Sequence, residues 1–161
     1  MKADRSTKSG RIAELVEVLS RWLLGLVFVW MGLSKALQPV EFLKSVRQYD
    51  VVHGTLLLNS IAAVLPWFEM ICGGLMVAGI AVRGSALVLA GLLVPFTWMV
   101  LRRALALHSN VPFCAIRFDC GCGSGEVLVC RKLLENAILI LVSIGLVCGR
   151  GRKCCVRYEL V

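Results

Sequence analysis

Long apolar runs, separated by a few charged positions, set the organisation of this chain. A helix needs about 20 mostly apolar residues to cross a hydrocarbon core of roughly 30 Å, so the charges mark where spans begin and end. The pattern predicts spans at about residues 16–37, 55–82, 84–101 and 129–149. Because short connections order such helices up and down, the predicted fold is all-α, an integral membrane four-helix bundle forming one domain.

Composition favours a membrane protein over a soluble or disordered one. Of 161 residues, 58% are hydrophobic, the mean hydropathy is +0.82 and the formal net charge is +8. This balance excludes disorder and is too apolar for an ordinary soluble domain. The N-terminal segment and the C-terminal tail are short and basic. Retention on the cytoplasmic side explains the charge of the tail, so no nucleic-acid partner is predicted.

The positive charges also predict an orientation. If the predicted spans alternate, ten of the 18 Lys and Arg residues lie on the side of the termini and eight on the other side. Cytoplasmic segments carry the excess of Lys and Arg, so both termini are predicted to be cytoplasmic. The connection between the third and fourth spans then lies outside, where disulfides persist.

That connection is polar, rich in glycine and holds four cysteines: Cys114, Cys120, Cys122 and Cys130. Cys120 and Cys122 are separated only by Gly121, the residue that makes the sharp bend of a small disulfide ring least costly. A strained, exposed disulfide is easily reduced, which suits exchange with another protein. The sequence therefore predicts Cys120 and Cys122 as a redox pair.

Other roles for these cysteines stay open. The pair forms a static structural disulfide, or all four thiols bind a metal as zinc and iron–sulfur centres do. No C-x2-C knuckle is present, so no metal is predicted. Cys114 and Cys130 are auxiliary thiols: either they form a second couple that re-oxidises or cross-links the first, or Cys130 packs in the fourth helix and Cys114 is a free loop thiol.

Glu69 is the one formal charge in the second predicted span. A charged side chain near mid-span costs at least about 2.5–3.5 kcal/mol, so Glu69 is expected to face the bundle. Its candidate partners are three cations and one amide: Lys35, Arg131, Lys132 and Asn136. Glu69 then acts as a proton acceptor beside a bound quinone or as a polar clasp between helices. Arg131 and Glu135 are spaced i,i+4 and alternatively satisfy each other.

Several short motifs, in a fixed order from about Trp22 to Gly149, resemble a known family. They are Trp22-Leu23-Leu24-Gly25-Leu26-Val27-Phe28, Gly32, Lys35, Tyr49, Leu65-Pro66-Trp67-Phe68-Glu69, Gly73-Gly74, Cys120-Gly121-Cys122, Arg131 and Asn136. This order and spacing resemble the DoxX-like membrane proteins and, among them, the MauE branch of methylamine-utilisation proteins.

The resemblance implies a four-helix protein of the bacterial inner membrane that takes part in thiol or disulfide chemistry. It implies that Cys120 and Cys122 are the redox pair, and that Glu69 and Asn136 are polar residues of the bundle. The expected partner is a periplasmic thioredoxin-like or cysteine-rich redox protein, with quinone as a candidate acceptor and no covalently bound cofactor. The alternatives are a non-catalytic assembly subunit of a larger membrane redox complex, and the small membrane subunit of a quinone oxidoreductase.

Overall fold

Helices dominate the computed structural model, which describes residues 3–48, 54–108, 112–119 and 126–148. The helices in these ranges are α1 (Ala3–Leu37), α2 (Pro39–Gln48), α3 (Thr55–Ala78), α4 (Val82–Leu107) and α5 (Val129–Cys148). Between α4 and α5 lie a 3-10 turn (Phe113–Ala115) and two short strands, β1 (Arg117–Asp119) and β2 (Glu126–Leu128).

The helix surfaces are those of a membrane protein. Among the described residues, three segments are long and apolar enough to cross a bilayer: Glu14–Leu37, Thr55–Ala78 and Val82–Leu107. Large apolar side chains cover their outer faces; Trp30 is 70% exposed and Leu56 is 85% exposed. An aqueous protein avoids so much exposed apolar surface, whereas lipid accommodates it. The predicted class, an all-α membrane protein, is confirmed.

The turn between α3 and α4 lies earlier than predicted. The predicted spans 55–82 and 84–101 put the turn at residue 83, but α3 ends at Ala78, and Gly79 adopts a left-handed conformation with φ 72°. Glycine enters this region at least cost, and its N–H donates back to the Met76 carbonyl at 3.1 Å. Backbone geometry therefore ends the second apolar run before the charge at Arg83.

Two other helices extend beyond their predicted bounds. α4 continues to Leu107, past the expected end at residue 101, because Arg102 and Arg103 are good helix formers even though they end the apolar run. α1 begins at Ala3, well before residue 16. α5 is helical over the residues of the predicted fourth span, 129–149, but it is not among the three segments named above. Its charged residues Arg131, Lys132 and Glu135 precede an uncharged segment.

α2 is a short amphipathic helix that the sequence analysis did not assign. Phe42 and Ser45 are buried on its inner face, and Glu41 and Lys44 form an exposed ion pair at 2.8 Å on its outer face. Its ten residues are too few to span a bilayer. α2 instead packs against α1 and α3.

Glycines let α1 and α3 pack backbone against backbone. A β-carbon on Gly25 would lie 2.7 Å from the Gly73 carbonyl oxygen, and one on Gly32 would lie 2.6 Å from that of Pro66. Positions rise along α1 as their partners fall along α3, so the two helices are antiparallel. Small residues at such contacts allow the close approach from which membrane helices gain packing energy.

The end of the bundle near the 3-10 turn has its own apolar layer. We call it the hairpin layer; its buried members are Met31, Val100, Ala104, Ile116 and Val129. It joins α1, α4 and α5 to the segment that carries the strands. That segment is therefore fixed to the end of the bundle by apolar packing.

Two adjacent glycines of α3 provide a matched test of the α1–α3 contact. Gly73→Ala places a β-carbon 2.7 Å from the Gly25 carbonyl oxygen, and this overpacking should lower the free energy of unfolding by about 1–3 kcal/mol. Gly74→Ala meets no atom within 4 Å and should be neutral or stabilising. Thermal unfolding of both variants in the same detergent measures the difference. Equal stability of the two would contradict the described packing.

Candidate functional site

A disulfide joins Cys114 of the 3-10 turn to Cys130 in the first turn of α5. Cys114 is exposed and Cys130 is partly buried. Of the two alternatives for these auxiliary thiols, the structure has the couple, and its action on Cys120 and Cys122 stays a prediction. A metal site built from all four cysteines does not fit this arrangement, because two of its ligands are bonded to each other.

The disulfide closes the base of a β-hairpin. β1 and β2 pair antiparallel, with Arg117 opposite Leu128 and Asp119 opposite Glu126. The Val129 N–H donates to the Ile116 carbonyl at 3.1 Å and continues the pairing to the start of α5. Residues 120–125 connect the strands. Cys120 and Cys122 lie among them, outside the described residues, so their role as a redox pair stays a prediction.

A buried ion pair lies inside the bundle. The Lys35 Nζ donates to both carboxylate oxygens of Glu69, at 2.6 and 2.7 Å. Both residues are about 95% buried, with 4% and 5% of their surface exposed. Glu69 therefore faces the bundle, and Lys35 on α1 is the candidate partner that contacts it. The same Nζ lies 5.4 Å from the ring centroid of Phe42, which belongs to α2.

Charged residues of α5 extend this polar region towards the surface. Lys132 is 4% exposed and interacts electrostatically with Lys35 and Glu69. Its Nζ also lies 3.7 Å from a carboxylate oxygen of Glu135, which is half-exposed. Glu135 accepts a 2.8 Å hydrogen bond from Arg131 Nε. Arg131 thus lies at the surface and pairs along its own helix rather than facing the bundle.

Asn136 lies in the bundle but contacts a different helix. Its side-chain nitrogen donates to Thr97 Oγ1 of α4 at 3.1 Å, and it is fully buried. Its amide oxygen has no hydrogen-bond partner among the described residues. Sequence reasoning missed Thr97, because a threonine within an apolar helix usually bonds its own backbone, as Thr97 also does to Leu93.

An apolar cavity of about 260 Å³ lies among α1, α2, α3 and α4, beside the ion pair. We call it the ion-pair cavity. Its wall is mostly aromatic, aliphatic and thioether: Phe28, Met31, Lys35, Phe42, Val46, Ile61, Leu65, Glu69, Leu92, Leu93, Pro95, Phe96 and Met99. The sequence analysis did not predict this cavity, since α2 closes part of it and that helix was not assigned.

The fold and the site define a helical membrane protein with a disulfide-closed hairpin at one end of its helices and an ion pair buried between them. The family model of the methylamine utilisation protein MauE matches residues 13–149, and the chain belongs to this family. The resemblance to MauE is thereby confirmed, and the wider DoxX-like relationship stays a prediction. No curated protein and no solved structure matches the chain significantly.

Replacing one member of the ion pair should cost more than replacing both. Glu69→Leu leaves Lys35 buried without its partner and should lower the free energy of unfolding by about 3–5 kcal/mol. The double variant Lys35→Met/Glu69→Leu should recover most of that loss, and Glu69→Gln, which keeps an acceptor, should lie between. Thermal unfolding in detergent measures all three.

The exposed pair on α2 is the matched control for this cycle. Glu41→Gln removes the carboxylate that holds Lys44 and should change the free energy of unfolding by less than about 1 kcal/mol, as exposed pairs do. A double variant no more stable than Glu69→Leu would show that the two residues are not energetically coupled.

Proposed function

We propose that this protein is a membrane thiol–disulfide redox protein that exchanges equivalents with a periplasmic partner through Cys120 and Cys122. The partner is a thioredoxin-like or cysteine-rich redox protein, and a quinone is the acceptor within the membrane. The protein lies in the bacterial inner membrane, with both termini cytoplasmic. Membership of a family involved in methylamine utilisation provides the cellular setting.

The proposed topology is a four-helix bundle in which α1, α3, α4 and α5 cross the membrane up and down. The glycine contacts that make α1 and α3 antiparallel support it. Only three residues separate α3 from α4, which favours antiparallel neighbours. α5 is uncharged from Asn136 to Cys148, and its charged first turns lie beside the hairpin.

The single observation that carries the proposal is the Cys114–Cys130 disulfide. It brackets the segment that contains Cys120 and Cys122, so four cysteines are gathered on one connection at one end of the helices. Cys114 is exposed, and an incoming thiolate needs access to a disulfide sulfur. Cys114 and Cys130 therefore provide a second couple, on the same connection of the chain as the proposed redox pair.

The proposed exchange proceeds through a mixed disulfide. The thiolate of Cys120 or Cys122 attacks one sulfur of the partner's disulfide, and the other partner sulfur leaves as a thiolate. The second cysteine of the pair then attacks the mixed disulfide, so the pair is oxidised and the partner is reduced. Run in reverse, the exchange oxidises the partner and leaves a dithiol. A quinone re-oxidises that dithiol by accepting two electrons and two protons to become a quinol.

A second candidate function is non-catalytic. The disulfide and the hairpin layer together hold the hairpin against the helices, which also suits a static docking surface. The protein would then be an assembly subunit of a larger membrane redox complex, or the small membrane subunit of a quinone oxidoreductase whose reactive centre is in another chain.

A trapping experiment separates these two functions. In cells, Cys122→Ser or Cys120→Ser removes the resolving thiol, so one of the two variants should accumulate a mixed disulfide with another protein. The adduct should appear on a non-reducing gel and disappear on reduction. Cys148→Ser, which changes an exposed cysteine at the end of α5, is the control and should trap nothing. Absence of an adduct from both variants would favour the static disulfide.

Thiol labelling tests the proposed orientation. After mild reduction of intact cells, a membrane-impermeant maleimide should label Cys120 and Cys122 from the outer face. Cys154 and Cys155 should react only after the membrane is opened, because the excess of positive charge predicts a cytoplasmic C-terminal tail. Variants that retain only one of these two sets assign the label. Labelling of the tail in intact cells would invert the topology and remove the oxidising surroundings that the proposal needs.

A further inference from the structure

The ion-pair cavity has a composition that limits what can occupy it. Its volume is about 260 Å³, and aromatic, aliphatic and methionine side chains make most of its wall. An occupant must therefore be largely apolar. Wall residues contributed by α3 and α4, among them Ile61, Leu65 and Leu92, are only half-buried. That side of the cavity borders the helix surface that faces lipid, so a membrane-dissolved molecule can reach it.

The ammonium of Lys35, in the cavity wall, limits the occupant further. A lysine ammonium has three N–H donors, and two from Lys35 go to the two Glu69 oxygens. The third N–H donates to no described residue. An uncharged ligand with a carbonyl oxygen can accept it without disturbing the pair. A cation would be repelled by Lys35 and Lys132, and an anion would lie against the Glu69 carboxylate in an apolar site.

We infer that the ion-pair cavity binds the ring of a membrane quinone, with one ring carbonyl accepting the third N–H of Lys35. Phe28, Phe42 and Phe96 provide aromatic faces and edges for a flat ring. A lipid acyl chain would suit the apolar wall but would leave that N–H unmet. The inference rests on the proposed function for its choice of a two-electron acceptor.

The cavity also lies next to the disulfide-bearing segment. Met31 and Phe96 line it, and both also belong to or pack against the hairpin layer, which includes Ile116 and Val129. Met31 and Phe96 thus separate the proposed ring site from the hairpin. An acceptor in this cavity would be held at the end of the helices where the Cys114–Cys130 disulfide lies.

A binding experiment on the full chain in lipid nanodiscs tests the site. The probe is decyl-benzoquinone, whose affinity is measured by displacement of a photoreactive azidoquinone. Decanol, which has the tail but no ring, is the ligand control. Leu65→Trp fills the cavity from α3 and should weaken quinone binding at least about tenfold. Val64→Trp adds the same side chain at the exposed neighbouring position and should leave the affinity within about twofold.

A second variant tests the hydrogen bond. Lys35→Met/Glu69→Leu keeps the site neutral but removes the N–H donor, and loss of a hydrogen bond from a charged group should weaken binding at least about tenfold. Three results would overturn the inference: equal affinity in the Leu65→Trp and Val64→Trp variants, unchanged affinity in the double variant, or displacement by decanol as effective as displacement by the quinone.

The trapping experiment reads the proposed function separately. Quinone binding that depends on Leu65 and Lys35, in a protein that traps no partner, would support the site and count against thiol exchange. If the protein traps a partner but shows no such quinone binding, the proposed quinone site is overturned and the proposed thiol exchange is retained.

Discussion

The arrangement of the helices depends on the ion pair between Lys35 and Glu69. Burying either charge alone in an apolar bundle is costly. The ammonium of Lys35 must therefore stay in contact with the carboxylate of Glu69, and this contact fixes the position of α1 along α3. The glycine contacts at Gly25 and Gly32 impose the same register through backbone sterics. Glycine packing alone would allow α1 to shift to a neighbouring register against α3 more readily. With the ion pair present, such a shift would also separate the two buried charges. The polar pair thus adds specificity to a contact whose energy comes from close approach.

That register determines what lies at the end of the helices. With α1 fixed against α3, Met31 is available to pack with Val100 and Val129, and this apolar contact seats the hairpin. The Cys114–Cys130 disulfide then ties the 3-10 turn to α5 at the same place. The ion-pair cavity and the hairpin share side chains, so a change in the α1–α3 contact would alter the packing of both.

Much of this was readable from the sequence, and the failures have physical causes. The apolar runs located the three helices that are long and apolar enough to span a bilayer, and the cost of desolvation placed Glu69 inside the bundle. The sequence did not predict that Glu69 pairs with Lys35 rather than Lys132, because that pairing follows from how closely α1 and α3 approach at their glycines. α3 ends at Ala78 because Gly79 adopts a left-handed conformation, and a glycine is a weaker sequence signal than the charge at Arg83. The pairing of Cys114 with Cys130 depends on the register of the hairpin, and strands of only three residues are too short for that register to be predicted from the sequence.

The geometry of the ion pair also bears on the two roles considered for Glu69. Both of its oxygens accept from Lys35 at hydrogen-bond distance, so neither is directed at a ligand while the pair is closed. Taking a proton would remove the charge that compensates the burial of Lys35. The clasp role is therefore favoured for Glu69. Lys35 differs from Glu69 in this respect, because its third N–H donates to no described residue.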